Sequence, residues 1–233
     1  MEGWMECGDM AETFSLYFCG AGTHNRGMIR NVLFDMGGVL LHFDPKVFIA
    51  RLGLADPADG LLLEREIFRS VEWVQLDRGE ISDEEALACM LARIPKRLHA
   101  EAVTLFENWD EPRLAVEENC ELVRDLNAAG YGVYLLTNAS LQHHKYWPKL
   151  PVSQVFGDRV FLSAEHHVIK PDPAFFEQAL AMFGLKAGEC VFIDDVPLNV
   201  EAALRCGIGG IVYHDDPALL RAQLSRFLQH GDG

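Results

Sequence analysis

Four short segments of this 233-residue chain end in side chains that could carry chemistry. The apolar run Ile29-Arg30-Asn31-Val32-Leu33-Phe34 leads into Asp35, followed by Met36-Gly37-Gly38. Val133-Tyr134-Leu135-Leu136 leads into Thr137-Asn138, Lys170 opens Lys170-Pro171-Asp172-Pro173, and Val191-Phe192-Ile193 leads into Asp194-Asp195. An ionised carboxylate such as Asp35 can attack phosphorus and form an acyl phosphate that water then hydrolyses. Thr137, with the backbone N–H of Asn138, can bind a phosphoryl oxygen, and Lys170 is a compact cation able to bridge carboxylate and phosphate. These groups act together only if the fold brings their strand ends to one place.

The surrounding pattern predicts such a fold. Strand-like runs at Val133–Leu136, Val160–Leu162, Val191–Ile193 and Gly210–Tyr213 alternate with helical stretches at Leu114–Ala129, Pro173–Phe183, Pro197–Cys206 and Pro217–Leu228. Strand–helix alternation implies an α/β, doubly wound parallel sheet, in which all strands point their carboxyl ends to one edge. The polar tips Asp35, Thr137, Lys170 and Asp194-Asp195 are expected to meet there. Asp194 or Asp195 also suits the helix that starts near Pro197, and Asn199 is expected to support that loop. Between the first two strands, Pro45–Leu54, Leu61–Ser70, Asp83–Arg93 and Pro95–Asn108 carry apolar residues at helical spacing, with Ser82 as an N-cap before three acids. The expected organisation is an extension over residues 1–27, a core from 28–44 and 112–233, and a small inserted helical domain over 45–111.

Composition narrows the partners. The formal charge is −15, which argues against nucleic acid and anionic membrane surfaces. The hydrophobic content of 49% supports one sizeable core, and no apolar stretch is long enough to span a bilayer. The six cysteines form no Cys-x-x-Cys pair and read as small buried apolar residues, neither a disulfide framework nor a zinc site. Residues 1–27 lack periodicity, and their apolar patch lacks a basic lead-in, so a signal peptide is not expected. A cytoplasmic location follows by default; the oligomeric state is not fixed.

The ordered set Asp35, Thr137, Lys170, Asp194-Asp195 resembles the four motifs of the haloacid dehalogenase superfamily, most of whose members are phosphatases. The resemblance runs from about Ile29 to the last helix. It implies a magnesium ion held by Asp35, the backbone carbonyl of Gly37 and Asp195, with Asp194 beside them as a water-mediated partner. It implies Asp35 as nucleophile, Thr137, Asn138 and Lys170 at the phosphoryl group, and a helical cap over the cleft. The expected substrate is a small phosphorylated metabolite.

One departure bears on mechanism. Most phosphatases of the superfamily carry a second aspartate where this chain has Gly37, and that residue exchanges protons with the leaving oxygen and with water. Asp35-Met36-Gly37-Gly38-Val39, Arg78-Gly79-Glu80-Ile81-Ser82-Asp83-Glu84 and Thr137-Asn138 with His143-His144-Lys145-Tyr146-Trp147-Pro148 resemble the α-D-glucose-1-phosphate phosphatase-like branch, which shares this glycine. An anomeric oxygen leaves with little protonation, so a missing acid suits a sugar 1-phosphate. His143 or His144 is an alternative proton source, although the pair reads first as a solvated loop. Trp73, Trp109 and Trp147 read as packing residues. Two other functions compete: a 2-haloacid dehalogenase-like hydrolase, disfavoured by the paired acids, and a catalytically weak phosphate-binding regulator.

Overall fold

The computed structural model describes residues 28–109 and 115–229. The extension expected over residues 1–27 and the boundary expected at 111/112 lie outside the described residues.

Five strands form one parallel sheet: β1 (Asn31–Phe34), β2 (Gly132–Thr137), β3 (Val160–Leu162), β4 (Cys190–Asp194) and β5 (Gly209–Val212), in the order β3-β2-β1-β4-β5. The strands are apolar on both faces, as a sheet covered on both sides requires. Phe34 sits beside Leu135 and Ile193 in register, so the ends of β1, β2 and β4 align. The alternation of side chains splits the core. Val32, Phe34, Leu135 and Ile193 face one apolar cluster, while Leu33, Leu136 and Phe192 face the other.

Among the described residues, a block of five α-helices follows β1: α1 (Pro45–Ala50), α2 (Pro57–Leu63), α3 (Val71–Asp77), α4 (Asp83–Arg93) and α5 (His99–Asn108). They enclose a separate apolar cluster that includes Phe48, Leu63, Ile67, Phe68, Met90 and Phe106. Arg93 ties this block together, donating to Glu66 at 2.7 Å and to both Glu72 oxygens at 2.8 and 2.6 Å. The Ser82 cap forms a full capping box with Glu85.

The expected boundaries shift where local chemistry dictates. Asp56 caps Pro57, so α2 starts before Leu61, and a wider π turn over Glu64–Phe68 follows it. Ile94 is extended because it precedes Pro95, which delays α5 to His99. The α3 helix was not expected; Ser70 caps it by accepting the Trp73 N–H.

On one face of the sheet pack α6 (Glu117–Ala128) and, later in the chain, α12 (Pro217–Gln229). After β2 come the short helices α7 (His143–Tyr146), α8 (Ser153–Phe156) and α9 (Ser163–His166). The other face is covered by α10 (Pro173–Phe183) and α11 (Pro197–Arg205). Cys120 and Cys190 are buried as expected, but Cys89 is exposed because it falls on the outer face of α4. Among the described residues no helix is long and apolar enough to cross a membrane.

Candidate active site

Asp35 stands one residue beyond β1, held in line by its N–H donating to Ile193 O at 2.9 Å. The chain then folds back at once: Leu40 and Leu41 both donate to Met36 O, and Gly38 donates to Leu41 O at 2.7 Å. Asn119 steadies this turn from α6 by donating to Val39 O at 2.8 Å. The two glycines have different reasons to be there. Gly38 has φ +77°, and a Cβ on it would run into the Asp195 carboxylate. Gly37 has no such constraint, since a Cβ there would meet Phe43 Cβ at 3.8 Å, an ordinary contact.

Lys170 joins the motifs. Its ammonium donates to Asp35 Oδ1 at 2.7 Å, Asp194 Oδ2 at 2.8 Å and Leu136 O at 3.1 Å, with 1% of the side chain exposed. Asn138 clamps the Lys170 backbone from β2: its Nδ2 donates to Lys170 O at 3.0 Å, and its Oδ1 accepts the Lys170 N–H at 2.8 Å. The Asn138 side chain is thus spent on positioning Lys170. Thr137 is buried at the end of β2, and the cavity wall beside it is made by Asn138, Ala139 and Ser140.

The paired acids divide their work. Asp194 is fully buried, and its oxygens also accept from Val196 N–H at 2.8 Å and from Asn199 Nδ2 at 3.1 Å. It therefore anchors Lys170 and the loop before α11. Asp195 is exposed to the cavity. Asp35, Asp194 and Asp195 each offer an oxygen within 4.8 Å of the others. An all-oxygen set of this kind suits a hard divalent cation such as magnesium, and the left-handed Gly38 leaves the space that the Asp195 carboxylate needs to join it. Burial pushes the Asp35 carboxyl up to about 7, against the pull of the neighbouring Lys170 ammonium, while Asp194 adds to the rise. Burial, then Asp194, also raises Asp195. A cation among these groups would favour their ionised forms.

The cleft above Asp35 is a cavity of about 260 Å³. Its floor holds Asp35, Lys170, Asp195 and Asn199; its roof comes from Trp73, Asp77 and Trp109 of the helical block, joined by Phe43 and Tyr146. Trp73 and Trp109, expected as packing residues, do pack, with ring centroids 5.9 Å apart, but they also face the cavity. Trp147 is core and stacks on His143 at 5.4 Å.

The histidine pair divides: His144 is solvated as expected, whereas His143 is not, and both lie in α7. His143 is buried with both ring nitrogens unpartnered, and burial pushes its pKa down to about 3, so it stays neutral. His144 pairs with Glu165 at 3.0 Å on the surface. Neither lines the cavity, which corrects the expectation that one of them supplies the proton missing at Gly37.

Asp77 was missed by sequence reasoning. It ends α3 and reaches the cavity because Trp73 and Asp77, four residues apart, share one helix face. The signal available was its position directly before the Arg78-Gly79-Glu80 turn.

A doubly wound parallel sheet with an acid–lysine–acid cluster at its carboxyl edge and a helical block above it defines a Rossmann-type α/β protein with a charged site under a cap. Residues 29–207 match the haloacid dehalogenase-like hydrolases, and the chain belongs to that family. Its sequence is 27% identical over 186 residues to a sesquiterpene phosphatase from Aspergillus oryzae, covering 80% of this chain and 90% of that protein. It is 28% identical over 149 residues to a flavin mononucleotide hydrolase from Arabidopsis thaliana, covering 64% of this chain and 59% of that one. Among solved structures, the fold is similar to a family enzyme from Bacteroides thetaiotaomicron in complex with magnesium and inorganic phosphate. That match has a TM-score of 0.67 at 23% identity and covers 82% of this chain and 98% of that chain.

Proposed function

We propose that the protein is a magnesium-dependent phosphatase acting on a small phosphorylated metabolite through an aspartyl-phosphate on Asp35. The observation that carries this reading is the convergence of Asp35, Lys170 and Asp195 on one cavity, with Asp194 buried behind them on Lys170. In the first step an Asp35 oxygen forms a bond to phosphorus while the ester P–O bond breaks, its electron pair going to the leaving oxygen. Water then attacks the phosphorus, and the P–O bond to Asp35 breaks, releasing phosphate and the carboxylate. Lys170 holds Asp35 in place and neutralises charge, while N–H groups of the loop after Thr137 bind phosphoryl oxygens. Asp35, the Gly37 carbonyl and Asp195 would hold magnesium, with Asp194 supporting from behind. The ion would neutralise the phosphoryl charge that otherwise repels the carboxylates. The paired acids favour this chemistry over attack on a haloacid carbon, which needs no metal.

Gly37 itself offers no acid, and a sugar 1-phosphate, whose anomeric oxygen leaves with little protonation, is the substrate that follows if no other residue supplies the proton. The aromatic wall of Phe43, Trp73, Trp109 and Tyr146 supports a second reading, a phosphate ester with a broad apolar or flat body. The isoprenoid and flavin chemistry named for the two relatives fits that wall. A screen of sugar, isoprenoid and flavin phosphates, each with magnesium and with chelator, ranks the two readings. Asp35→Asn is expected to keep the fold and lose phosphate release on every substrate; undiminished release in a contaminant-free preparation refutes the mechanism.

A further inference from the structure

Among the described residues, Asp77 is the one acidic side chain that the helical block presents to the cavity, and the reaction so far gives it no task. Three contacts fix where it stands. Ser163 Oγ donates to Asp77 O at 2.6 Å, His167 Nδ1 lies 3.0 Å from Arg78 O, and Gly79, at φ +65°, sits so close to Ala164 O that a Cβ would clash. The end of α3 is therefore seated on the segment after β3, not suspended over the cleft. The Ser140 N–H meets the Asp77 carboxylate from the β2 loop, the same loop that forms the phosphoryl-binding wall.

Three carboxylates already cluster at the cavity floor, Asp35 and Asp195 facing it and Asp194 buried behind them, and the cavity must receive an anionic ester. A fourth ionised carboxylate would repel that ester, whereas a protonated one can donate to it. Among the described residues, Lys170 is the cation that acts on Asp77, and it is engaged with Asp35 and Asp194. Burial pushes the Asp77 carboxyl up to about 7, against the Ser140 N–H and Lys170, which pull it down. An acid poised near neutrality is suited to give a proton in one step and take one in the next.

We propose that Asp77 is the general acid and base of this site, supplied by the cap in place of the carboxylate that Gly37 lacks. This rests on the phosphatase reading above. As the ester P–O bond breaks, its electron pair takes the Asp77 proton, so the product leaves as a neutral alcohol and Asp77 becomes a carboxylate. In the second step Asp77 accepts a proton from the attacking water as that water's oxygen bonds to phosphorus, which restores the acid.

The test compares kcat/KM for phenyl phosphate and 4-nitrophenyl phosphate, since this ratio reports the steps up to departure of the phenol. Nitrophenolate needs no proton to leave; phenolate benefits from one. Asp77→Asn is expected to lower kcat/KM for the phenyl ester by about 100-fold or more while the nitrophenyl ester stays within about threefold. The retained nitrophenyl reaction also shows that the variant is folded. Asp77→Ser, measured the same way, covers a folding defect peculiar to the amide. Equal losses on both esters in both variants, or no loss on either, overturns the assignment while leaving the phosphatase reading intact. A wild type that cleaves neither ester with magnesium overturns the phosphatase reading, and this proposal with it.

Discussion

Replacing Lys170 with methionine keeps the length and most of the volume of the side chain but removes the charge at the centre of the site. Its ammonium has carboxylate partners at 2.7 and 2.8 Å and is almost wholly buried. At an effective dielectric of about 20, each contact is worth roughly 6 kcal/mol of Coulomb attraction, part of which is offset by the cost of desolvating the lysine. The carboxylates do not fare alike afterwards: Asp194 keeps the Val196 N–H and Asn199, while Asp35 loses its charged partner. Removing one member of a buried pair typically costs about 3–5 kcal/mol. For a folded unit of about 200 residues the entropy of unfolding is near 0.4 kcal/mol/K, so Tm is expected to fall by roughly 7–12 °C. The assay is calorimetry in the presence of chelator, because a bound cation would stabilise the variant by mass action and hide part of the loss. A fall of less than about 2 °C would mean that the carboxylates shed their charge or relax into water, and that Lys170 does not hold them together as described.

The two site glycines should separate cleanly. Gly38→Ala is expected to cost about 1–2 kcal/mol and to weaken magnesium binding measured by titration calorimetry, because the residue is left-handed and its Cβ meets Asp195. Gly37→Ala should unfold at the wild-type temperature, since its Cβ has room; a matching loss would show that this backbone is also constrained. The helical block should weaken in acid. Arg93 holds Glu66 and Glu72 below the usual carboxylate range, so their stabilisation is complete above the ordinary value of 4.5 and is lost as pH falls through the lowered values. Melting followed by tryptophan fluorescence should show a slope against pH that Arg93→Met flattens; an unchanged slope would assign the acid sensitivity elsewhere.

The sheet was legible in the sequence because each strand is a short apolar run bounded by Gly, Pro or a charged group, and parallel strands share one polar edge. Asp35, Lys170 and Asp194-Asp195 could be placed together for that reason alone. The roof of the cavity could not. The α3 helix is seven residues long and exposes Val71 and Val74, so its spacing carries no clear apolar stripe, and Asp77 is held by Ser163, 86 residues along the chain, and by the close approach of Gly79 to Ala164. The roles of Asn138 and Asp194 were likewise invisible, because a side chain that clamps a backbone and one that touches substrate have the same letter in a sequence. His143 looked solvated by type, yet it is core, because the apolar neighbours Tyr146 and Trp147 carry it inward.

The strand order has a consequence for synthesis of the chain. β1 is the central strand, and neither neighbour exists when it leaves the ribosome. Lys170 follows Asp35 by 135 residues, and β4, which closes the other edge of β1, comes later still. At a translation rate of about 5–20 residues per second, Asp35 waits roughly 7–27 s for its lysine. During that interval the helical block between them can form its own apolar cluster, while β1 keeps both edges open until β2 is made and keeps the β4 edge open after that. The nucleophile is thus among the first groups made and among the last to become competent, and a chain truncated before β4 leaves one edge of its central apolar strand unpaired.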